Sequence, residues 1–215
     1  MDIIKVEKGY LTILTGKPDM GKSTITVYDC SENLKQGKNV MFFSYEYCQS
    51  IIYNKMISHF KTNWSQLFNL NVLDANGLNL QSLMNIIRNK KKHVDIVYID
   101  FLDLLKTSTY GEGNSEHDLE QTQEIVKELA ALAMEVNIPI VLLSQIGSST
   151  DFEKSVERLN SIGEKAGTNV IKMFIGKSNI IDERIDYSDI VHIILVDGYN
   201  LRHFSSLNIK EIYND

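Results

Sequence analysis

The sequence predicts an α/β fold with a mostly parallel central sheet flanked by helices, and three observations carry that expectation. Short apolar runs alternate with longer amphipathic segments, as in a parallel sheet covered by helices. Several of the short runs are apolar almost throughout rather than at every second residue, as strands buried on both faces must be. A glycine-bearing loop, Gly16-Lys17-Pro18-Asp19-Met20-Gly21-Lys22-Ser23, joins the first run to a helical segment.

In chain order, residues 11–15 read as the first strand and residues 22–35 as the helix after the loop, with Gly37 as its stop. Residues 39–44 form the next strand, residues 50–60 a helix, residues 71–73 a short strand and residues 78–89 a further helix. The run 94–99 (Val-Asp-Ile-Val-Tyr-Ile) is a buried strand. Ser115-Glu116-His117-Asp118 resembles a capping box opening a long helix, with Leu119, Ile125, Leu129, Leu132 and Val136 on its apolar side and Asn137 and Pro139 ending it. Residues 140–144 are again apolar. The stretch from Gln145 to about Val170 is polar and receives no assignment. Residues 190–196 and 207–213 are expected to pair as a C-terminal β-hairpin about Asp197-Gly198-Tyr199-Asn200.

At 215 residues the chain fits one domain, residues 1–215, able to bury a core without disulfides or structural metal. Hydrophobic residues at 43% and charged residues at 23% are ordinary for a soluble protein, and no apolar run approaches the ~20 residues of a membrane helix. The opening residues lack the pattern of a signal peptide, so a cytoplasmic location is expected, the host cytoplasm if the gene is viral. Cys30 and Cys48 are too few for a disulfide framework or zinc site and read as buried hydrophobes. A formal charge of −6 argues against nucleic-acid binding by bulk electrostatics, though not against a local track. The richest basic run, Arg88-Asn89-Lys90-Lys91-Lys92-His93, reads as a solvated helix end before a buried strand.

The spacing G-x4-G-K-[ST] is that of a phosphate loop. The loop of Gly16, Lys17, Pro18, Asp19, Met20, Gly21, Lys22, Ser23 and Thr24 would wrap the phosphates, with backbone N–H donors from its residues other than Pro18, Lys22 would reach the β/γ oxygens, and the Ser23 hydroxyl would ligate Mg²⁺. The helix that follows adds its N-terminal partial positive charge. Hydrolysis of ATP also needs a carboxylate to support the metal and a base to orient water. Asp100 ends an apolar strand at the edge where open α/β sheets bind ligands, so it is the candidate metal-supporting residue; the plainer alternative is a carboxylate that caps the next turn. Phe101 follows it, so a base directly after this aspartate is ruled out. Glu46, after the strand 39–44, is the candidate base, the alternative being a merely solvated glutamate. Gln145, after the strand 140–144, could hydrogen-bond the γ-phosphate and report its presence.

These residues resemble the ATPase domain of the DnaB-family hexameric replicative DNA helicases, a branch of the RecA-like P-loop proteins. The matching pieces are the loop 16–24, Phe43-Ser44-Tyr45-Glu46, the run 95–102, Gly113-Asn114-Ser115-Glu116 with the long helix, and the run 138–145 ending in Leu-Ser-Gln. Residues 8 to 147 carry most of the likeness, with weaker agreement at residues 186–191. The resemblance implies a homo-oligomeric ring, hexameric in that family, with ATP and Mg²⁺ at each interface and single-stranded DNA threading the centre along loops near residues 107–115 and 147–165. It also implies a finger cation from the neighbouring subunit. Here the finger motif is degenerate: Lys210 stands in the lysine's place but Ile212 in the arginine's, leaving Lys210, Arg202 and Arg184 as candidates. The family's N-terminal helical domain is expected to be missing.

The leading expectation is therefore an ATP hydrolase of helicase or translocase type acting in DNA replication or recombination. The alternative is a nucleotide-gated loader, inhibitor or recombination mediator, with weak or no ATPase activity, that binds a partner replicative helicase or recombinase. A RecA-like regulator or recombination ATPase outside the helicase family is a third reading.

Overall fold

The computed structural model describes residues 3–16, 20–100, 115–144, 157, 159–163, 167–177, 190–197 and 200–208. Its elements run β1 (Leu11–Gly16), α1 (Lys22–Lys35), β2 (Val40–Ser44), α2 (Gln49–Ser58), α3 (Trp64–Leu67), β3 (Leu70–Asp74), α4 (Leu80–Lys90), β4 (Ile96–Asp100), α5 (Ser115–Val136), β5 (Ile140–Ser144), β6 (Val170–Lys177), β7 (Ile190–Asp197) and β8 (Asn200–Asn208). The described strands form one sheet in the order β3-β2-β4-β5-β1-β6-β7-β8. Pairing from β3 through β6 is parallel, and β7 and β8 add antiparallel.

The central strands are buried at every residue because each face meets helices. Successive side chains point to opposite faces. Ile13, Met41, Phe43, Val97, Ile99, Ile140 and Leu142 join a core with Leu83, Met84 and Ile87 of α4 and Val126, Leu129 and Ala133 of α5. Their neighbours Leu14, Val40, Phe42, Ile96, Tyr98, Val141 and Leu143 join a second core with Ile25, Val27 and Leu34 of α1 and Ile52 and Met56 of α2. The edge strand β3, by contrast, alternates between buried and exposed residues.

Local chemistry sets the helix ends. Gly37, at φ +79°, follows α1, and Asn137, at φ +56°, follows α5, each in the left-handed region that stops a helix. Under α1 a buried polar network ties helix to sheet. The Tyr98 hydroxyl donates to Asp29 Oδ2 at 2.6 Å, and Asn33 Nδ2 donates to the Tyr98 oxygen at 2.9 Å. Burial and the Asp29 charge push the Tyr98 phenol well above its ordinary pKa, so it stays the proton donor.

Strand β6, for which the sequence carries no expectation, extends the parallel sheet next to β1. Two expectations need correction. The second hairpin strand is residues 200–208 rather than 207–213, because the chain returns at once and pairs Asp197 with Asn200. Cys30 is buried, but Cys48 is exposed beside Ser50, ahead of α2. Among the described residues no His, Cys, Asp or Glu cluster of metal-binding type occurs, and no helix is long and apolar enough to cross a membrane.

Candidate nucleotide site

Parallel register brings the expected residues to one edge. Ser44 is level with Asp100 across β2 and β4, and Thr15 is level with Ser144 across β1 and β5. The edge is stitched together at the strand ends: the Tyr45 N–H donates to the Asp100 carbonyl at 2.7 Å, and the Thr15 hydroxyl to the Ser144 carbonyl at 3.1 Å. The chain leaves β1 for the α1 face, whereas Leu159 and Ile162, between β5 and β6, pack in the opposite core. That reversal between neighbouring strands opens the crevice where α/β sheets bind ligands.

The two loop glycines are required for different reasons. Gly21 sits at φ +83° at the start of α1, a conformation costly for any residue with a Cβ. At Gly16 the obstacle is the neighbouring strand, since a Cβ there would lie 2.7 Å from the Ile175 carbonyl oxygen. Unusual backbone angles therefore explain only the second glycine. Between them, Met20 packs against the α1-side core with its side chain, while Lys17, Pro18 and Asp19 lie outside the described residues. No acidic residue occupies the first turn of α1, and its N-cap residue, Gly21, has no side chain to cap the first N–H groups, a polarity that suits an anion.

The Lys22 ammonium reaches back over the loop to donate to the Gly16 carbonyl at 2.8 Å. Ser23 and Thr24, the next two residues, are half-buried in the first turn of α1. The Ser23 hydroxyl hydrogen-bonds to the Asp100 carboxylate, so helix α1 and strand β4 meet through the two side chains expected to support a metal. Asp100 is 1% exposed, and its Oδ2 has no hydrogen-bond partner. A buried carboxylate oxygen without a donor is costly by itself. The Asp100 carboxyl is accordingly pushed up to about 6: burial and the Glu46 charge raise it, against the Ser23 hydrogen bond and the charges of Lys55 and Lys22. A hydroxyl beside an anionic oxygen that lacks a donor is an oxygen set that fits a hard divalent cation such as Mg²⁺.

Glu46 is exposed directly after Tyr45, close enough for its charge to act on Asp100. Its mount is firm on both sides. The Tyr45 hydroxyl donates to the Leu78 carbonyl at 3.2 Å, and the Tyr47 N–H donates to Ser44 Oγ at 3.0 Å. The structure adds Lys55, which the sequence reading does not single out. Its ammonium lies 4.3 Å from the centre of the Tyr47 ring, and its charge also reaches Asp100. The only signal for it in the sequence is a lone basic residue on the helix after the Glu46 turn. Gln145, Arg184 and Lys210 lie outside the described residues; Arg202 is on β8 opposite Leu195, with its side chain outside them. So do both expected DNA loops, apart from Ser115, Glu157 and residues 159–163.

Lys22, Ser23 and Glu46 thus all act on the Asp100 carboxyl, by charge or by hydrogen bond. Comparison with known proteins points the same way. Residues 60–158 match the model of the DnaB-like helicase C-terminal domain, a stretch that includes Asp100 and begins after Glu46. The chain is 26% identical over 218 residues to the replicative DNA helicase DnaB of Buchnera aphidicola subsp. Baizongia pistaciae, covering 86% of this chain and 46% of that protein. It therefore spans about half the length of the curated relatives it matches. Among solved structures, a DnaB-like replicative helicase described with its interactions with primase superposes with a TM-score of 0.72 at 17% identity, covering 94% of this chain and 55% of that one. The RadB recombinase superposes with a TM-score of 0.59 at 16% identity, covering 97% and 90%. The chain has a RecA-like fold, and the family it resembles is the C-terminal ATPase domain of the DnaB-like replicative helicases.

Proposed function

We propose that this chain binds and hydrolyses Mg-ATP and uses the cycle to move on single-stranded DNA, as a helicase or translocase domain in replication or recombination. The observation that supports this best is the pairing of Ser23 with a buried Asp100 that keeps one carboxylate oxygen without a donor, beside Lys22 and Glu46.

In this reading the loop amides of residues 16–24 take the phosphates. Lys22 exchanges its bond to the Gly16 carbonyl for phosphate oxygens. Ser23 and Asp100 hold Mg²⁺, which when bound neutralises charge on the phosphate oxygens. Glu46, exposed on a turn that its neighbours fix, orients the attacking water and takes its proton. Gln145 senses the γ-phosphate, and a finger cation, for which Lys210, Arg202 and Arg184 are candidates, arrives from a neighbouring copy in a ring.

The test is turnover and nucleotide affinity, each with and without single-stranded DNA. Glu46→Gln should keep nucleotide affinity and lose turnover by about 10²-fold or more, while Lys22→Ala should lose both. Wild-type turnover in Glu46→Gln would remove the base assignment, and wild-type affinity in Lys22→Ala would remove the loop.

The second reading is a nucleotide-gated loader, inhibitor or mediator, and the degenerate finger motif, with Ile212 where the arginine would stand, favours it. Hydrolysis that stays slow until a partner helicase or recombinase is added would support that role.

A further inference from the structure

The end of the sheet opposite the nucleotide crevice carries a groove of about 540 Å³ with a strong charge imbalance. Four lysines from three places in the chain line it: Lys8 before β1, Lys38 between α1 and β2, and Lys91 and Lys92 after α4. The basic run after α4 is a solvated helix end, as its sequence suggests. The fold adds the other two lysines to it.

Against the four ammonium groups stands one carboxylate, Asp95, whose Oδ2 is engaged by the Asn39 N–H at 2.8 Å and side-chain amide at 3.1 Å. Lys38 donates to Asn33 Oδ1 at 2.6 Å, while Lys8, Lys91 and Lys92 are exposed on the rim without an ion pair among the described residues. This concentration occurs on a chain of net charge −6, so it is local rather than a consequence of composition. The floor is apolar, formed by buried Ile138 and Pro139 with half-buried Val94.

We propose that this groove docks an acidic peptide segment of a partner protein, its carboxylates on the lysine rim and its apolar side chains on the floor. Charge complementarity selects a polyanion. The lining selects among polyanions: it contains no Phe, Tyr or Trp on which bases could stack, and such platforms are what single-stranded nucleic acids use. An apolar floor under a basic rim matches a segment that alternates acidic and apolar residues. Because the groove lies at the N-terminal ends of the parallel strands, its occupant leaves the nucleotide crevice at their C-terminal ends open. The site stands independently of the ATPase reading.

Fluorescence anisotropy tests it, using the full chain and three labelled probes: a peptide of alternating glutamate and leucine, the same peptide with glutamine for glutamate, and oligothymidylate of matching charge. The acidic peptide should bind, weaken as salt rises, and lose about tenfold or more in affinity in Lys91→Glu/Lys92→Glu. That variant should melt like the wild type and bind a fluorescent ATP analogue unchanged. Equal binding of the glutamine peptide, or an unchanged affinity in the folded double variant, overturns the proposal. So does preferential binding of oligothymidylate that the double variant abolishes, which would make the groove a nucleic-acid site, and so does failure of the acidic peptide to bind.

Discussion

Asp100 concentrates the energetics of the candidate site in one side chain. Its folded carboxyl holds a proton up to about pH 6, against an ordinary value of 3.8. The contribution this group makes to stability is therefore fully present below about pH 3.8 and is lost as the pH rises through 6. At neutral pH the buried anion costs at most about 3 kcal/mol, from the roughly two-unit shift at 1.36 kcal/mol per unit. Asp100→Asn should thus be more stable than the wild type by about 1–3 kcal/mol at pH 8 in a magnesium chelator, with the gap closing by pH 4. Urea unfolding across that range measures it. Adding Mg-ATP should stabilise the wild type and not the variant. Parallel pH curves for the two proteins would mean that the carboxylate is not strained in the fold.

At the scale of elements, α2 is the piece whose role the sequence leaves hidden. It carries Lys55 to the Tyr47 ring and so places a cation beside the turn that bears Glu46. A loop aromatic and a helical lysine eight residues apart make no motif, and only the fold brings them together. Lys55→Met removes the charge while keeping an unbranched stem. Turnover should fall about tenfold, roughly 1.4 kcal/mol, with ATP affinity little changed and Lys55→Arg restoring most of the rate. A variant that loses affinity and turnover equally would make Lys55 part of nucleotide binding. The contrast with α1 is instructive: its observed bounds coincide with the sequence reading because Gly21 and Gly37 fix its ends locally. Strand β5 is equally legible, since burial on both faces leaves little but apolar side chains, whereas β4 runs Ile96–Asp100 rather than 94–99, because Val94 and exposed Asp95 still belong to the connection after α4. Strand β8 is not legible. It is held by its pairing with β7, and its sequence includes Arg202, His203, Ser205 and Ser206, which give no apolar run to read. Strand β6 does carry a legible run in Ile171, Met173, Phe174 and Ile175, which its polar approach obscured.

For the molecule as a whole, the source of the finger cation separates an autonomous motor from an accessory protein. The candidate crevice holds Lys22 with Lys55 nearby, and both are lysines. Arg88 is committed to Glu135 between α4 and α5, and the lysine-lined groove lies at the other end of the sheet. A finger arginine delivered to phosphates in the transition state raises turnover by about 10³–10⁵-fold. In the proposed ring that cation comes from another copy, with Lys210, Arg202 and Arg184 as its candidates. Mass measurement settles the point. With Mg-ATP and single-stranded DNA the 24.5 kDa chain should assemble into a closed homo-oligomer, and turnover per chain should rise with protein concentration as assembly proceeds. A single-chain mass under all conditions, with turnover per chain independent of concentration, would exclude the ring motor. A partner that then raises turnover would have to supply the missing cation itself, which is the arrangement the accessory reading requires.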